Sequence, residues 1–117
     1  MKLKNILRYF SDKIVRQQRY VAELIGEYYL LKNNNDYTKT QEELRNLGVH
    51  EIKTFMHTIT ITLMRPGLLI GRRGENIENL QKYIFSKTDY NKLDIKEDKV
   101  LWYMMPQDYS DEYEVDI

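Results

Sequence analysis

Two different hydrophobic periods run along this 117-residue chain, and the change between them divides it. From residue 3 to 31 the period is helical. Leu3, Ile6, Leu7, Phe10, Ile14, Val21, Leu24, Ile25 and Tyr28 fall in one arc of about 100°, which Val15, Ala22 and Tyr29 widen on one side. Lys2, Arg8, Lys13, Arg16 and Arg19 take the remaining surface, where charge normally meets water. A single helix of this length would span on the order of 40 Å, more than one small sheet needs. Either its far end packs on a partner or a second copy, or Ser11-Asp12 caps a new helix and both pieces cover one core. Asn33-Asn34-Asn35-Asp36 then ends the segment in a turn. A short second helix follows, with Thr40 and Glu43 as a capping box, Leu44 and Leu47 as its apolar face, and Gly48 at its C-terminal cap.

From Val49 the period becomes two. One strand is expected over 49–54 around Ile52. A second covers 58–64, with Ile59, Ile61 and Leu63 on one face and Thr58, Thr60 and Thr62 on the other. Phe55-Met56-His57 carries no strong turn signal, so the hairpin is inferred from its strands. Pro66-Gly67 stops the second strand. Ile77, Leu80, Tyr83 and Ile84 return to helical spacing, which predicts a helix over 75–87, and a polar loop follows over 87–92. Residues 93–105 are strand-like, with an apolar run from Val100 to Met105 that Glu97-Asp98 bends or divides. Past Pro106 there is no period, and Tyr109 and Tyr113 stand among acids in a tail read as disordered or loosely docked. The expected organisation is an N-terminal amphipathic helical extension (1–35), an α+β domain (36–105) and an acidic tail (106–117).

Composition narrows the function classes. With 42% hydrophobic and 31% charged residues the chain has an ordinary soluble balance, enough for one modest core. It has no cysteine, hence no disulfide framework or thiol nucleophile. No apolar run approaches a membrane span, and MKLKNILRYF lacks the continuous apolar stretch of a signal peptide, so no membrane partner is expected and a cytoplasmic location is the default. The net charge is zero but segregated. Residues 1–48 carry nine basic and six acidic residues, residues 49–105 nine and seven, and residues 106–117 none and five. A mildly basic body suggests a small phosphate footprint and a shallow salt dependence for any nucleic acid it holds.

The chemistry concentrates between Arg65 and Leu80, in RPGLLIGRRGENIENL. A GxxG tetrapeptide alone carries little weight, since roughly half of chains of this length contain one by chance. Its neighbours change that. Pro66 suits a first helical position, Gly71 ends the short turn it opens, and Gly74 immediately precedes a helix start. Glycines at both ends let the backbone approach a sugar-phosphate chain, and the helix N-terminus favours a phosphate. Arg72 and Arg73 add charge and paired donors. His50 and His57 have no acid at a metal-ligand spacing, and no Walker sequence, Ser-His-Asp set or paired-carboxylate signature stands out. No enzyme activity, metal or cofactor is expected. Trp102 either stacks on bases or fills the core.

These residues resemble a type II KH domain, most like the KH module of the small-ribosomal-subunit protein at the mRNA entry. The likeness rests on Arg65-Pro66-Gly67, the aliphatic triplet Leu68-Leu69-Ile70, Gly71-Arg72-Arg73-Gly74, then Glu75, Asn76 and Ile77. It extends more weakly through Glu42-Glu43-Leu44, Gly48 and Ile52, covering about residues 38–105. The long first helix and the acidic tail set the chain apart from that ribosomal protein, which it is not expected to be. The resemblance implies an α+β fold with a three-stranded mixed sheet packed by helices, and a groove that clamps about four unstacked nucleotides of single-stranded RNA. Single-stranded DNA, or a protein-assembly role through residues 3–31, remain alternatives. Carried over by position, Gly71, Arg72, Arg73 and Gly74 would hold the backbone, and Asn76 is a candidate polar contact. Ile70 and Ile77 would form the floor, with Leu93 or Ile95 opposite; core burial is the other reading for Ile77, Leu93 and Ile95. Arg65 is read as a phosphate contact or a structural ion pair. The acidic tail is either solvated or a weak internal competitor for the groove.

Overall fold

A computed structural model describes residues 7, 8 and 10–98. The apolar run Val100–Met105 with Trp102, the acidic tail, and Leu3 and Ile6 of the first helical arc lie outside the described residues. Within them, helix α1 (Asp12–Lys32) and helix α2 (Tyr37–Leu47) precede strands β1 (Val49–Phe55) and β2 (Thr58–Leu63). A short helix α3 (Pro66–Ile70), a 3-10 turn (Arg72–Gly74), helix α4 (Glu75–Phe85) and strand β3 (Lys92–Glu97) complete the order.

The sheet is mixed, in the order β1-β2-β3, and helices pack on it in an α+β arrangement compatible with a KH-like fold. β1 and β2 form an antiparallel hairpin in which Phe55 pairs with Thr58 across Met56 and His57. Met56 supplies the turn by adopting a left-handed φ of 54°, a conformation that no glycine or asparagine advertised. β3 pairs with β2 in parallel, which requires a crossover, and α3, the 3-10 turn and α4 form it. The period-two reading places Ile59, Ile61 and Leu63 in the core while the alternate threonines stay half-buried. Ile52 faces Ile61 and Leu93 faces Ile59 across the ladders, so one buried face unites all three strands. β3 stops at Glu97, although the Asp98 amide still donates to the Leu63 carbonyl at 3.0 Å.

The N-terminal segment resolves one of the two alternatives. A helix starts anew at Ser11, whose hydroxyl accepts from the Ile14 amide at 3.3 Å, and runs to Lys32. It is not one uninterrupted helix over 3–31, because Ser11 takes extended backbone (φ −66°, ψ 156°). α1 departs from helical geometry once more at Gln18 (φ −137°, ψ 46°), whose side-chain amide donates to the Thr54 hydroxyl at 3.2 Å. Leu7, Phe10, Ile14, Val21, Ala22, Leu24, Ile25, Tyr28 and Tyr29 all enter the same buried cluster as the sheet. The apolar stripe is therefore used inside the chain, and Lys13, Arg16 and Arg19 stay exposed.

The second helix begins earlier than a Thr40–Glu43 capping box requires. Asp36 is the cap, accepting from the Lys39 amide at 3.0 Å. Thr40 is fully buried one turn inside; its hydroxyl donates to the Tyr29 carbonyl at 3.5 Å and accepts from the Asn33 side-chain amide at 3.1 Å. The same Asn33 amide donates to Glu43 at 3.0 Å, so the pair expected at the cap instead ties the α1–α2 corner together. Gly48 closes α2 with left-handed backbone, as its position implies. Asp36→Ala removes the one side-chain cap of α2 and should cost about 1 kcal/mol in urea denaturation. Oligonucleotide binding, if the glycine loop carries it, should stay unchanged.

Candidate nucleic-acid interface

Between β2 and α4 eleven residues make a short helix and a 3-10 turn. Pro66 opens α3 at its first position, and Leu69 alone of the triplet is buried. Leu68 and Ile70 remain 52% and 37% exposed. The Gly71 amide donates to the Gly67 carbonyl at 2.9 Å, ending α3, and the Gly74 amide donates to the Gly71 carbonyl at 3.1 Å, closing the loop. Gly71 (φ 80°), Arg73 (φ 56°) and Gly74 (φ 75°) all lie in the left-handed region. The two glycines are needed for different reasons. A Cβ on Gly71 would come 2.6 Å from the Asn76 Cβ, so space as well as backbone excludes a side chain. At Gly74 a Cβ would meet nothing within 4 Å, and only the backbone conformation asks for glycine.

Arg72 and Arg73 are exposed at the tip, and neither has an ion-pair or hydrogen-bond partner among the described residues. α4 begins directly behind them, and no side chain caps its first turn. Loop cations and the positive end of the helix dipole therefore face the same space. Ile70 is accessible beside the loop, while Ile77 and Ile95 are partly buried against the core. Leu93 is a core residue at 8% exposure. The Arg65 guanidinium donates to the Asn46 carbonyl at 2.9 Å, bonding the last turn of α2 and not a carboxylate.

Asn76 is the hub of the site. Its side-chain nitrogen donates to the Leu69 carbonyl at 2.7 Å and to the Tyr29 hydroxyl at 2.9 Å. Its side-chain oxygen accepts from the Tyr28 hydroxyl at 2.7 Å. Both of its N–H donors are thus committed to the protein, and the carboxamide fixes the loop from behind. Tyr28 and Tyr29 meet edge to face at 5.3 Å between centroids, and Tyr83 donates a hydrogen bond to Glu27, the residue before Tyr28 on α1. These phenols are held in their neutral form. Burial pushes Tyr29 well above its ordinary value of 10.0. Burial raises Tyr28 as well, helped by the Glu43 charge, and burial followed by the Glu27 carboxylate raises Tyr83. This network carries no periodic signature; Tyr28 and Tyr29 read only as part of the apolar arc. Lys32, which stands at the edge of the same site, gave no sign of it in the sequence.

Elsewhere, His50 lies 3.4 Å from Asp98, and His57 packs its ring nitrogen 3.2 Å from the Asp89 carbonyl. Among the described residues no group of three potential ligands could hold a metal, and no helix is long and apolar enough to cross a membrane. No protein-family model matches the chain, and neither the curated proteins nor the solved structures contain a match.

Two outcomes follow from this geometry. Gly74→Ala should destabilise by about 1 kcal/mol through backbone strain alone, whereas Gly71→Ala, which adds a clash, should cost at least twice that in chemical denaturation. Because the folded state holds neutral phenols, their contribution is intact below the ordinary pKa of 10.0 and is lost as pH rises past it. Thermal midpoints should therefore hold up to about pH 10 and fall progressively above it, and Tyr29→Phe should flatten that fall.

Proposed function

We propose that this chain is a cytoplasmic, non-catalytic binder of single-stranded RNA, built on a type II KH-like domain, whose Gly71–Gly74 loop clamps the sugar-phosphate backbone. The observation that carries the reading is a pair of exposed arginines, unpaired among the described residues, on a glycine-flanked loop at the uncapped start of α4. A cation with no partner among the described residues breaks no ion pair when it meets a phosphate, and Gly71 and Gly74 present no side chain in the way. Ile70, exposed next to the loop, offers apolar surface for a base, and the partly buried Ile77 and Ile95 extend it. Asn76 supports this by rigidity instead of by contact, since its groups are spent on Leu69, Tyr28 and Tyr29. Arg65 likewise serves the α2 terminus in the free protein. The choice of RNA over DNA rests on the resemblance, and competition between RNA and DNA of one sequence decides it.

A second reading, a protein-interaction module on the same fold, draws on a different place. Phe55 and Met56 are 74% and 79% exposed at the hairpin tip, at the end of β2 away from the glycine loop, and Tyr20 is 54% exposed nearby. It predicts no binding to any oligonucleotide and a concentration-dependent oligomer in light scattering.

Charge reversal at the loop separates the two. Arg72→Asp with Arg73→Asp should abolish binding of short oligonucleotides, with far-ultraviolet circular dichroism and the denaturation midpoint unchanged, because both side chains are exposed and make no bond in the fold. Retained binding by a folded double variant removes the loop as the site.

A further inference from the structure

On the α1 side of the glycine loop lies an open depression bounded by Tyr28, Lys32, Leu68, Arg72, Glu75 and Asn79. Its chemistry is unlike that of a simple phosphate cradle. Leu68, which shares the lining with two cations, is 52% exposed and gives the depression an apolar surface. Glu75 and Asn79 stand one helical turn apart on α4, both exposed, and neither has a hydrogen-bond or ion-pair partner among the described residues. Arg72 and Lys32 are the cations of the lining, the Lys32 ammonium lying 3.5 Å from Glu43 and 4.7 Å from the centre of the Tyr29 ring. A second, smaller depression shares Lys32 and Leu68 and carries the surface onward to Asn46.

We infer that this depression, which rests on the loop reading above, takes a nucleobase bearing an exocyclic amino group, with the flanking phosphates on Arg72 and Lys32. The Glu75 carboxylate repels a phosphate placed beside it, so the anions belong on Arg72 and Lys32 and the base on Leu68. Leu68 is a flat apolar rest for a base face. At the base edge, an ionised carboxylate only accepts hydrogen bonds. The amino groups of adenine, cytosine and guanine donate to it from the rim of the base; uracil offers only its single N–H, flanked on each side by a carbonyl oxygen that the carboxylate repels, and is the poorer partner. Asn79 supplies a donor and an acceptor beside that edge. The Tyr28 hydroxyl donates to Asn76 behind the depression, which ties the α1 backbone to the start of α4.

The test titrates the full chain, Glu75→Gln and Lys32→Ala with short RNA homopolymers of adenosine, cytidine and uridine, by fluorescence anisotropy at two salt concentrations. The wild type should bind the adenosine and cytidine probes about fivefold or more tighter than uridine, the scale of one base-edge contact. Glu75→Gln should shrink that gap to under about twofold, since the new amide donates to a uracil carbonyl. Lys32→Ala should weaken all three alike and lower the salt slope by about 0.7, the value of one lost phosphate contact on a single strand. Equal wild-type affinities, a gap that Glu75→Gln leaves unchanged, or an unaltered slope in Lys32→Ala overturns the inference while leaving the loop clamp standing. A wild type that binds none of the probes overturns the loop reading itself.

Discussion

Three elements that are distant in sequence meet at one carboxamide. Asn76 bonds the end of α3, both tyrosines of α1 and, through its own backbone, the start of α4. It stands so close to Gly71 that the loop can pass only because residue 71 lacks a side chain. These constraints are reciprocal: the hydrogen bonds need the loop pressed against Asn76, and the glycine permits the pressing. A half-buried carboxamide with its donors satisfied contributes modestly, but its loss would leave the phenols and the Leu69 carbonyl without their partners. The tip arginines are thereby displayed from a base that does not yield.

Periodicity exposed most of the scaffold. The alternation at 58–63 and the helical spacing at 77–84 each follow from burial on one face, so local sequence reports them faithfully. The mixed three-stranded sheet is implied by the resemblance and not by the periods, which say nothing of strand pairing. Two local readings failed for identifiable reasons. Thr40 with Glu43 has the spacing of a capping box, but Asp36 lies earlier and caps first, freeing Thr40 to bury its hydroxyl against Tyr29. Phe55-Met56-His57 hid its turn because methionine took the left-handed position usually given to glycine or asparagine.

The site was only half legible. Glycines, arginines and a helix start are local facts, and the chain displays them together between Gly71 and Glu75. What stands behind and beside them is not local. Asn76 looked like a ligand contact because its partners, some 47 residues earlier, are chosen by tertiary packing. Arg65, read as a phosphate contact or a structural ion pair, bonds the Asn46 carbonyl in the last turn of α2. Polar residues near a loop advertise hydrogen-bonding capacity without saying whether the protein has already spent it.

The parallel pairing of β2 with β3 carries a kinetic consequence. The β1–β2 hairpin can close with its two-residue turn early, but β3 must wait until the whole crossover has been made and packed. The glycine loop lies inside that crossover, flanked by helices that are five and eleven residues long. Neither is long enough to persist alone in water, so both depend on docking to the sheet. The loop thus acquires its shape late, in the same cooperative step that zips the last parallel ladder. During synthesis, a chain that has exposed both arginines but not yet delivered β3 has the charge of the site without its geometry.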